Sequence, residues 1–479
     1  METIVMQHNA PSPGDPSWWL TEALQKEGNP TPVPPLEGEE RADVVIVGGG
    51  FTGLWTALAI KDRDPTQDIV LIEAKICGAG ASGKNGGKVH GYWASLPGLS
   101  ETLGPDAAVE VAKLGTKAQD GIRAFATTSG RDVWWREAGN VRVSTTAAQD
   151  SKIDHHIRVV EQLGVTDTAQ ALSSEEVASY CNSPSFRKGM YLSEGANVQP
   201  ARLTRALRKA AIERGVRIYE HTPMLGVDSG APNRIRTKGG SIEARDVVLA
   251  TNTALASESW VKPYVTVFSS YALMSEPAER ELANMGWTGD EGMADMRMFV
   301  HYFRKTADNR VLMGSGSGPI SYNGSSTSTL LTKDQASGAR AVAGLRRLLP
   351  GLSSVGVSKV WGGGIDISSD RLPFFRTRPG TRIHYAAGYS GHGVNPTYIG
   401  GQCLAALVLN SKDEWANSPF CRREVPKLPP EPFRTVGGRL VRRSIMGCEA
   451  AEDRGEKPRL LYRVGAAIPK TFGLRIGTR

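Results

Sequence analysis

Apolar residues are spaced along this chain in two rhythms, and the changes of rhythm mark out its parts. Asp43-Val44-Val45-Ile46-Val47 and Asp68-Ile69-Val70-Leu71-Ile72 are unbroken apolar runs, the pattern of strands buried on both faces. Between them Leu54-Trp55-Thr56-Ala57-Leu58-Ala59-Ile60 reads as a helix, entered through Gly48-Gly49-Gly50-Phe51-Thr52-Gly53. Strand, glycine turn, helix and a second strand closing on Glu73 predict a βαβ unit. Related pieces recur downstream. An amphipathic helix carries Leu203, Leu207 and Ala211, and strands follow at 216–219 and 246–250. Strand and glycine signals resume from Val360, with a helix over 401–409. Between about 256 and 355 the rhythm is that of alternating strands, at 265–274, 298–304 and 310–314, before helical spacing returns at 335–349.

This order predicts an α/β protein with a discontinuous, Rossmann-like dinucleotide-binding domain in three pieces, 41–128, 198–255 and 356–420. An α+β substrate domain built on a mostly antiparallel sheet, 129–197 and 256–355, is inserted between them. Residues 1–40 are rich in Pro and Gly, carry Trp18-Trp19, and are expected to form an extended arm packed on the body. The tail after 420 reads as loop-rich. A length of 479 residues fits two or three domains, and 40% hydrophobic with 22% charged residues is ordinary globular composition. No apolar run approaches the ~18 residues of a membrane span, and the start lacks the pattern of a secretory signal. Five cysteines without close spacing predict neither a disulfide framework nor a metal site, and point to a reducing cytoplasm. The net charge of +8 is confined to one place: residues 421–479 hold 14 Lys+Arg against 6 Asp+Glu, and the rest is balanced.

The glycine turn sets the chemistry. A pyrophosphate must approach backbone N–H groups closely; Gly48 allows the tight turn, Gly50 the approach, and Gly53 the packing of helix on strand. Phe51 and Thr52 open the helix whose positive end faces the anion. Glu73, followed by Ala74 and Lys75, ends the second strand where a carboxylate can accept ribose hydroxyls. NAD or FAD would satisfy this much. Directly after it comes a small-residue loop containing Gly80, Ala81, Ser82, Gly83, Lys84, Asn85, Gly86 and Gly87, where an NAD fold normally returns to helix. A loop this small lets a flavin ring lie against backbone, which favours FAD.

These segments resemble the D-amino-acid oxidase-like (glycine/sarcosine oxidase) family of FAD enzymes, which shows GxGxxG, a ribose Glu and a G-A-S-G-R-N-G-G segment; Lys84 replaces the Arg. Further matches are Asn197-Val198-Gln199-Pro200, Thr222-Pro223-Met224, the strand ending in Ala250-Thr251, Gly364, and Gly388-Tyr389-Ser390-Gly391-His392-Gly393. The resemblance covers about 40–420 and is nearest the γ-glutamylputrescine and aminophosphonate oxidoreductase branches. It implies that Met224, Thr251, Gly364, Gly388, Ser390, Gly391, His392 and Gly393 join the glycine segments around FAD. It also implies oxidation of the C–N bond of an amine or amino compound by hydride transfer to flavin N5. The imine hydrolyses to a carbonyl compound, with H2O2 formed where O2 is the acceptor.

Departures from the family narrow the substrate. Where glycine and D-amino-acid oxidases carry the Arg of Gly-Leu-Arg-Pro, this chain has Ile365, and a buried carboxylate facing isoleucine would go unpaired. An amine, or an amino compound whose anion is clamped elsewhere, such as an aminophosphonate or polyamine derivative, fits better. Gly363 stands where sarcosine oxidases bond a Cys to the flavin, so FAD is expected to be non-covalent. Tyr302 and Arg304, at i and i+2 of a predicted strand, share a face, and Arg304 could hold a distal anion or pair with Asp295 or Asp308. His392 and Lys88 are further candidates beside the flavin, and His90, Tyr92 and Trp93 could wall the pocket or fill core. The expected partner is a small-molecule amine, with O2 left open and neither nucleic acid nor membrane expected. A tRNA-modifying flavoenzyme, suggested by the basic tail, and a flavin monooxygenase are the alternatives.

Overall fold

A computed structural model describes residues 13–28 and 33–471. Its centre is a sheet whose parallel strands run in the order Arg217–Tyr219, Ile69–Ile72, Gly38–Val47, Gly240–Leu249 and Ile383–Ala387. Val44 pairs with Ile69 and Asp246, and Val47 with Ile72 and Leu249, so the carboxyl ends of these strands finish level. Antiparallel strands extend it at Met224–Asp228, Asn233–Thr237 and Phe374–Thr377. The helices Phe51–Arg63, Pro200–Glu213 and Val394–Val408 belong to the apolar layer on one face. Gly401 lies against Trp55, and a Cβ there would stand 2.5 Å from the Trp55 Cβ. That contact needs glycine, and Gly400-Gly401 hides the periodicity of a helix that begins at Val394, seven residues before the expected start.

The second sheet has eight strands, in the order Val357–Ser368, Val265–Ser275, Val311–Ser315, His301–Lys305, Gly292–Asp295, Asn140–Val143, Gly189–Leu192 and Ala169–Leu172. Every neighbouring pair is antiparallel except Gly292–Asp295 with Asn140–Val143. The Val357–Ser368 strand, placed by the sequence in the third nucleotide-binding piece, pairs along its length with Val265–Ser275, so the chain returns to the parallel sheet only after Ser368. The strand expected at 298–304 begins at His301; residues 296–300 form a turn.

Both ends of the chain differ from expectation. The N-terminal arm contains a helix, Trp18–Glu27, whose first turn is capped by the Ser17 hydroxyl accepting the Leu20 N–H at 3.1 Å. Trp19 is fully buried and donates Nε1–H to the carbonyl of Asn85 at 3.0 Å. Ser17 donates to the carbonyl of Gly83, and Trp361 Nε1 donates to that of Lys84 at 2.8 Å. Three successive carbonyls of the glycine loop are thus held from beneath. The tail forms two helices, Phe433–Asp453 and Leu460–Thr471, rather than loops. Their packing faces mix apolar residues with small and polar ones: Thr435, Val441, Ser444, Ile445 and Ala451 are buried, Gly447 lies against Tyr462, and Gly465 against Ser444. Apolar residues do recur here at helical spacing, as at Phe433, Val436, Leu440, Val441 and Ile445, although Phe433, Val436 and Leu440 stay exposed. No helix among the described residues is long and apolar enough to cross a membrane.

Truncating Trp19 to alanine should leave a cavity beneath the glycine loop and cost about 3–5 kcal/mol. Thermal or urea unfolding of the variant beside the parent checks this; an unchanged midpoint would show that the helix only rests on the body.

Candidate active site

One cavity of about 680 Å³ lies at the carboxyl ends of the parallel strands and reaches the second sheet. At its nucleotide-side end it is lined by Gly48, Gly50, Phe51, Thr52, Glu73, Ala74, Met224 and Thr251. Gly48 has φ +115°, and a Cβ there would sit 2.5 Å from the Ala250 carbonyl oxygen. A Cβ on Gly53 would fall 2.0 Å from the Gly48 oxygen. The turn therefore brings strand and helix together only with glycine at both positions. Glu73 is tied to it: Oε2 accepts the Gly49 N–H at 2.8 Å and Oε1 the Lys75 N–H at 2.9 Å. Burial raises the Glu73 pKa and these N–H groups oppose the rise. Each carboxylate oxygen keeps a lone pair for a ribose hydroxyl.

The small-residue loop contributes Gly80, Ala81, Ser82, Lys84, Asn85 and Gly86 to the wall. Ser82 Oγ accepts the Phe51 N–H at 2.8 Å, tying the loop to the helix start. Facing it are Gly363, Gly364, Ile365 and Asp366 from the second sheet, and Gly391, His392, Gly393 and Val394 at the start of another helix. Two helix N-termini thus open on one cavity, a setting for an anion at one end and an electron-rich ring edge at the other. Side chains are missing where a flat ring would need room, so FAD fits the residues present.

Several expected residues do not line the cavity. Gly53 and Gly83 are packing glycines, the latter set against the Gly78 carbonyl. Gly87 has φ +66° and abuts Val198, while Lys75 is exposed and paired with Asp15 at 3.5 Å. Gly388 and Ser390 both have positive φ and pack on Ser368. Tyr92 and Trp93 turn into the core. Arg304 is a correction: it shares a strand face with Tyr302, but its guanidinium lies under the loop, donating to the Val198 carbonyl at 2.7 Å with Cζ 5.0 Å from the Trp19 ring. It pairs with neither Asp295 nor Asp308, which are taken by Arg297, His301 and Arg347 and by Arg310. Tyr302 does line the cavity, and Cβ atoms on Gly86 or Gly314 would fall 2.8 and 1.9 Å from its ring.

The cations that face the cavity's second-sheet end include Lys88 and Arg142. Lys88 Nζ also donates to the Met293 carbonyl at 3.1 Å. Arg142, on the strand Asn140–Val143 beside Ala294, is 4% exposed. His90 and His392 stack here with ring centroids 4.4 Å apart, and His392 Nε2 lies 2.8 Å from the His90 carbonyl oxygen. Burial, then the charges of His392, Lys88 and Arg142, hold the His90 pKa well below the usual imidazole value. Arg142 escaped the sequence because one arginine in a short strand carries no motif; only pairing with 292–295 brings it here. Asp366 was missed for the same reason. It is buried, accepts the N–H groups of Gly388 and Tyr389, and burial pushes its pKa up to about 7.

The FAD dependent oxidoreductase (DAO) family model matches residues 43–407. The probable oxidoreductase OrdL of Haemophilus influenzae is 25% identical over 423 residues, 85% of this chain and 90% of its own length. The gamma-glutamylputrescine oxidoreductase of Escherichia coli is 27% identical over 409 residues, 84% of this chain and 89% of that one. Glycine oxidase from Geobacillus kaustophilus superposes with a TM-score of 0.66 at 21% identity, over 81% of this chain and 100% of the other.

Replacing Glu73 by alanine should weaken FAD binding at least tenfold, read as FAD lost on gel filtration; full retention would remove the ribose role. For Asp366, burial favours the protonated carboxyl, so its contribution to stability is present below the ordinary value of 3.8 and lost as pH rises through about 7. The apoprotein should lose on the order of 1 kcal/mol from this group between pH 6 and 8. Asp366→Asn should remove that part of the slope in thermal melts, and an identical slope would count against it.

Proposed function

The chain belongs to the DAO family of FAD-dependent oxidoreductases, and from that premise we propose that it oxidises the C–N bond of an amine that also carries an anionic group. The observation that carries this is the convergence of Lys88, Arg142 and the stacked His90–His392 pair on the cavity that the glycine turn opens. FAD, held non-covalently, supplies the two-electron acceptor. Gly48, Gly50 and the Phe51–Arg63 helix start hold its pyrophosphate, Glu73 its ribose, and Gly86, Gly363 and Gly364 leave space for its ring.

The side chains do the rest by orientation and charge. Arg142 and Lys88 take the substrate's anion in place of the arginine that Ile365 replaces. The same positive field disfavours an ammonium, so the substrate nitrogen binds neutral, with its lone pair available as the adjacent carbon is oxidised. Val300, Ile365 and Tyr302 wall off water and position the substrate. The imine product hydrolyses in water to a carbonyl compound and ammonia or an amine. An aminophosphonate, or a polyamine derivative with a distant carboxylate, offers both required groups. The five cysteines form no disulfide, which suits a reducing cytoplasm. The basic tail gives little support to an RNA substrate: Arg434 and Arg442 are spent on the carbonyls of Lys262, Val265, Ser317 and Gly318.

An anaerobic bleaching screen of the yellow protein with amines, polyamines, aminophosphonates and amino acids tests this. Amines bearing a phosphonate or distant carboxylate should bleach it, and their uncharged analogues should not. Arg142→Gln should raise the half-bleaching concentration at least tenfold, ~1.4 kcal/mol. Equal bleaching by charged and uncharged amines would remove the anion requirement.

A further inference from the structure

The helix Phe433–Asp453 lies outside the family match, which ends at 407, yet it grips a piece of the cavity wall. Between the strands Gly292–Asp295 and His301–Lys305 the chain turns through 296–300, and Ala294, Val300 and Tyr302 around this turn all line the cavity. The Met296 N–H goes to Gln149 Oε1 at 3.2 Å, and two carboxylates take the donors that follow. Asp295 Oδ1 accepts the N–H groups of Arg297 at 3.3 Å and His301 at 2.9 Å. Glu449 Oε1, from the C-terminal helix, accepts those of Met298 at 2.9 Å and Phe299 at 3.1 Å. One helical turn on, Asp453 pairs with Arg297 and also with Arg347 at 3.4 Å. Arg347 in turn stands 3.8 Å from the fully buried Asp295. Lys152 Nζ donates to the Met296 carbonyl at 2.9 Å.

Neither acid reaches the cavity itself, and what they hold does. An N–H pair left without an acceptor in a half-buried turn costs enough to reshape it. We propose that Glu449 and Asp453 are positioning residues: the C-terminal helix fixes the 296–300 turn so that Val300 and Tyr302 close the substrate end of the cavity. The family's shared frame ends before this helix, so the fit of this wall to substrate is a property the extension adds. This deepens the anionic-amine assignment and rests on it for the choice of probe.

The test uses full-length holoenzyme carrying Glu449→Ala or Glu449→Gln. Phosphonoacetate, an anion without an oxidisable amine, is titrated by the change in flavin absorbance, and amide hydrogen exchange is followed in parallel. Glu449→Ala should raise the phosphonoacetate Kd, and the KM of whichever amine bleaches the enzyme, at least fivefold. FAD content should be unchanged and kcat altered less than KM. Exchange at Met298 and Phe299 should accelerate. Glu449→Gln, which keeps an acceptor, should recover much of both effects. Faster exchange with an unaltered Kd and KM would overturn the proposal, leaving the helix a structural cover; so would unaltered exchange. Should Glu449→Ala fail to fold, Asp453→Asn takes its place with the same readouts. Should the parent enzyme not bind phosphonoacetate, the anion assignment fails by itself, and KM with the exchange data still decides the positioning role.

Discussion

Backbone has to come within hydrogen-bonding distance of a doubly charged pyrophosphate, and the rest of this structure is arranged around that requirement. Side chains would keep the partners apart, so the first strand, the helix after it and the loop beyond the second strand meet through atoms that only glycine and small residues expose. Gly53 rests on the carbonyl of Gly48, and Gly83 on that of Gly78. Such a loop has little side-chain packing to hold it, and its rigidity is supplied from elsewhere. Ser17, Trp19 and Trp361 take three of its carbonyls in a row, which gives the N-terminal helix a physical purpose that its position ahead of the family match would not suggest.

Charge is distributed with similar economy. The cofactor end of the cavity offers N–H groups and one carboxylate, whereas the opposite end gathers lysine, arginine and two imidazoles. On the proposed reading, a substrate there would meet a field that favours an anion and disfavours an ammonium, so recognition and activation would come from the same groups. The net charge of +8 has little to do with this. The whole excess lies in the tail, where Arg434 and Arg442 end on backbone carbonyls and act as structural ties.

The two ends of the chain share a logic. Each lies outside the common family frame, and each supplies hydrogen bonds to a segment that borders the cavity, the N-terminal helix from below the loop and the C-terminal helix on the 296–300 turn. A site made largely of backbone and glycine gains precision from such outer supports, because it has few side chains of its own to lock it.

The amino-acid sequence by itself determined the nucleotide half. Buried strands at 43–47 and 68–72, the glycine spacing from Gly48 to Gly53 and the acid at Glu73 are local features, each fixed by neighbours within a few residues, and the structure places them together. Tertiary structure decided what depends on contacts distant in the chain. Arg142 and Asp366 belong to the cavity through the strands they pair with, and Arg304 was drawn away from it by Val198 and Trp19. The tail helices carry apolar residues at helical spacing, Phe433, Val436, Leu440 and Ile445 among them, but what they pack against is set by contacts such as Gly447 on Tyr462 and Gly465 on Ser444. Short-range periodicity records burial; which side chains meet across a cavity is set by sheet order and register, and those are not written in any local stretch of sequence.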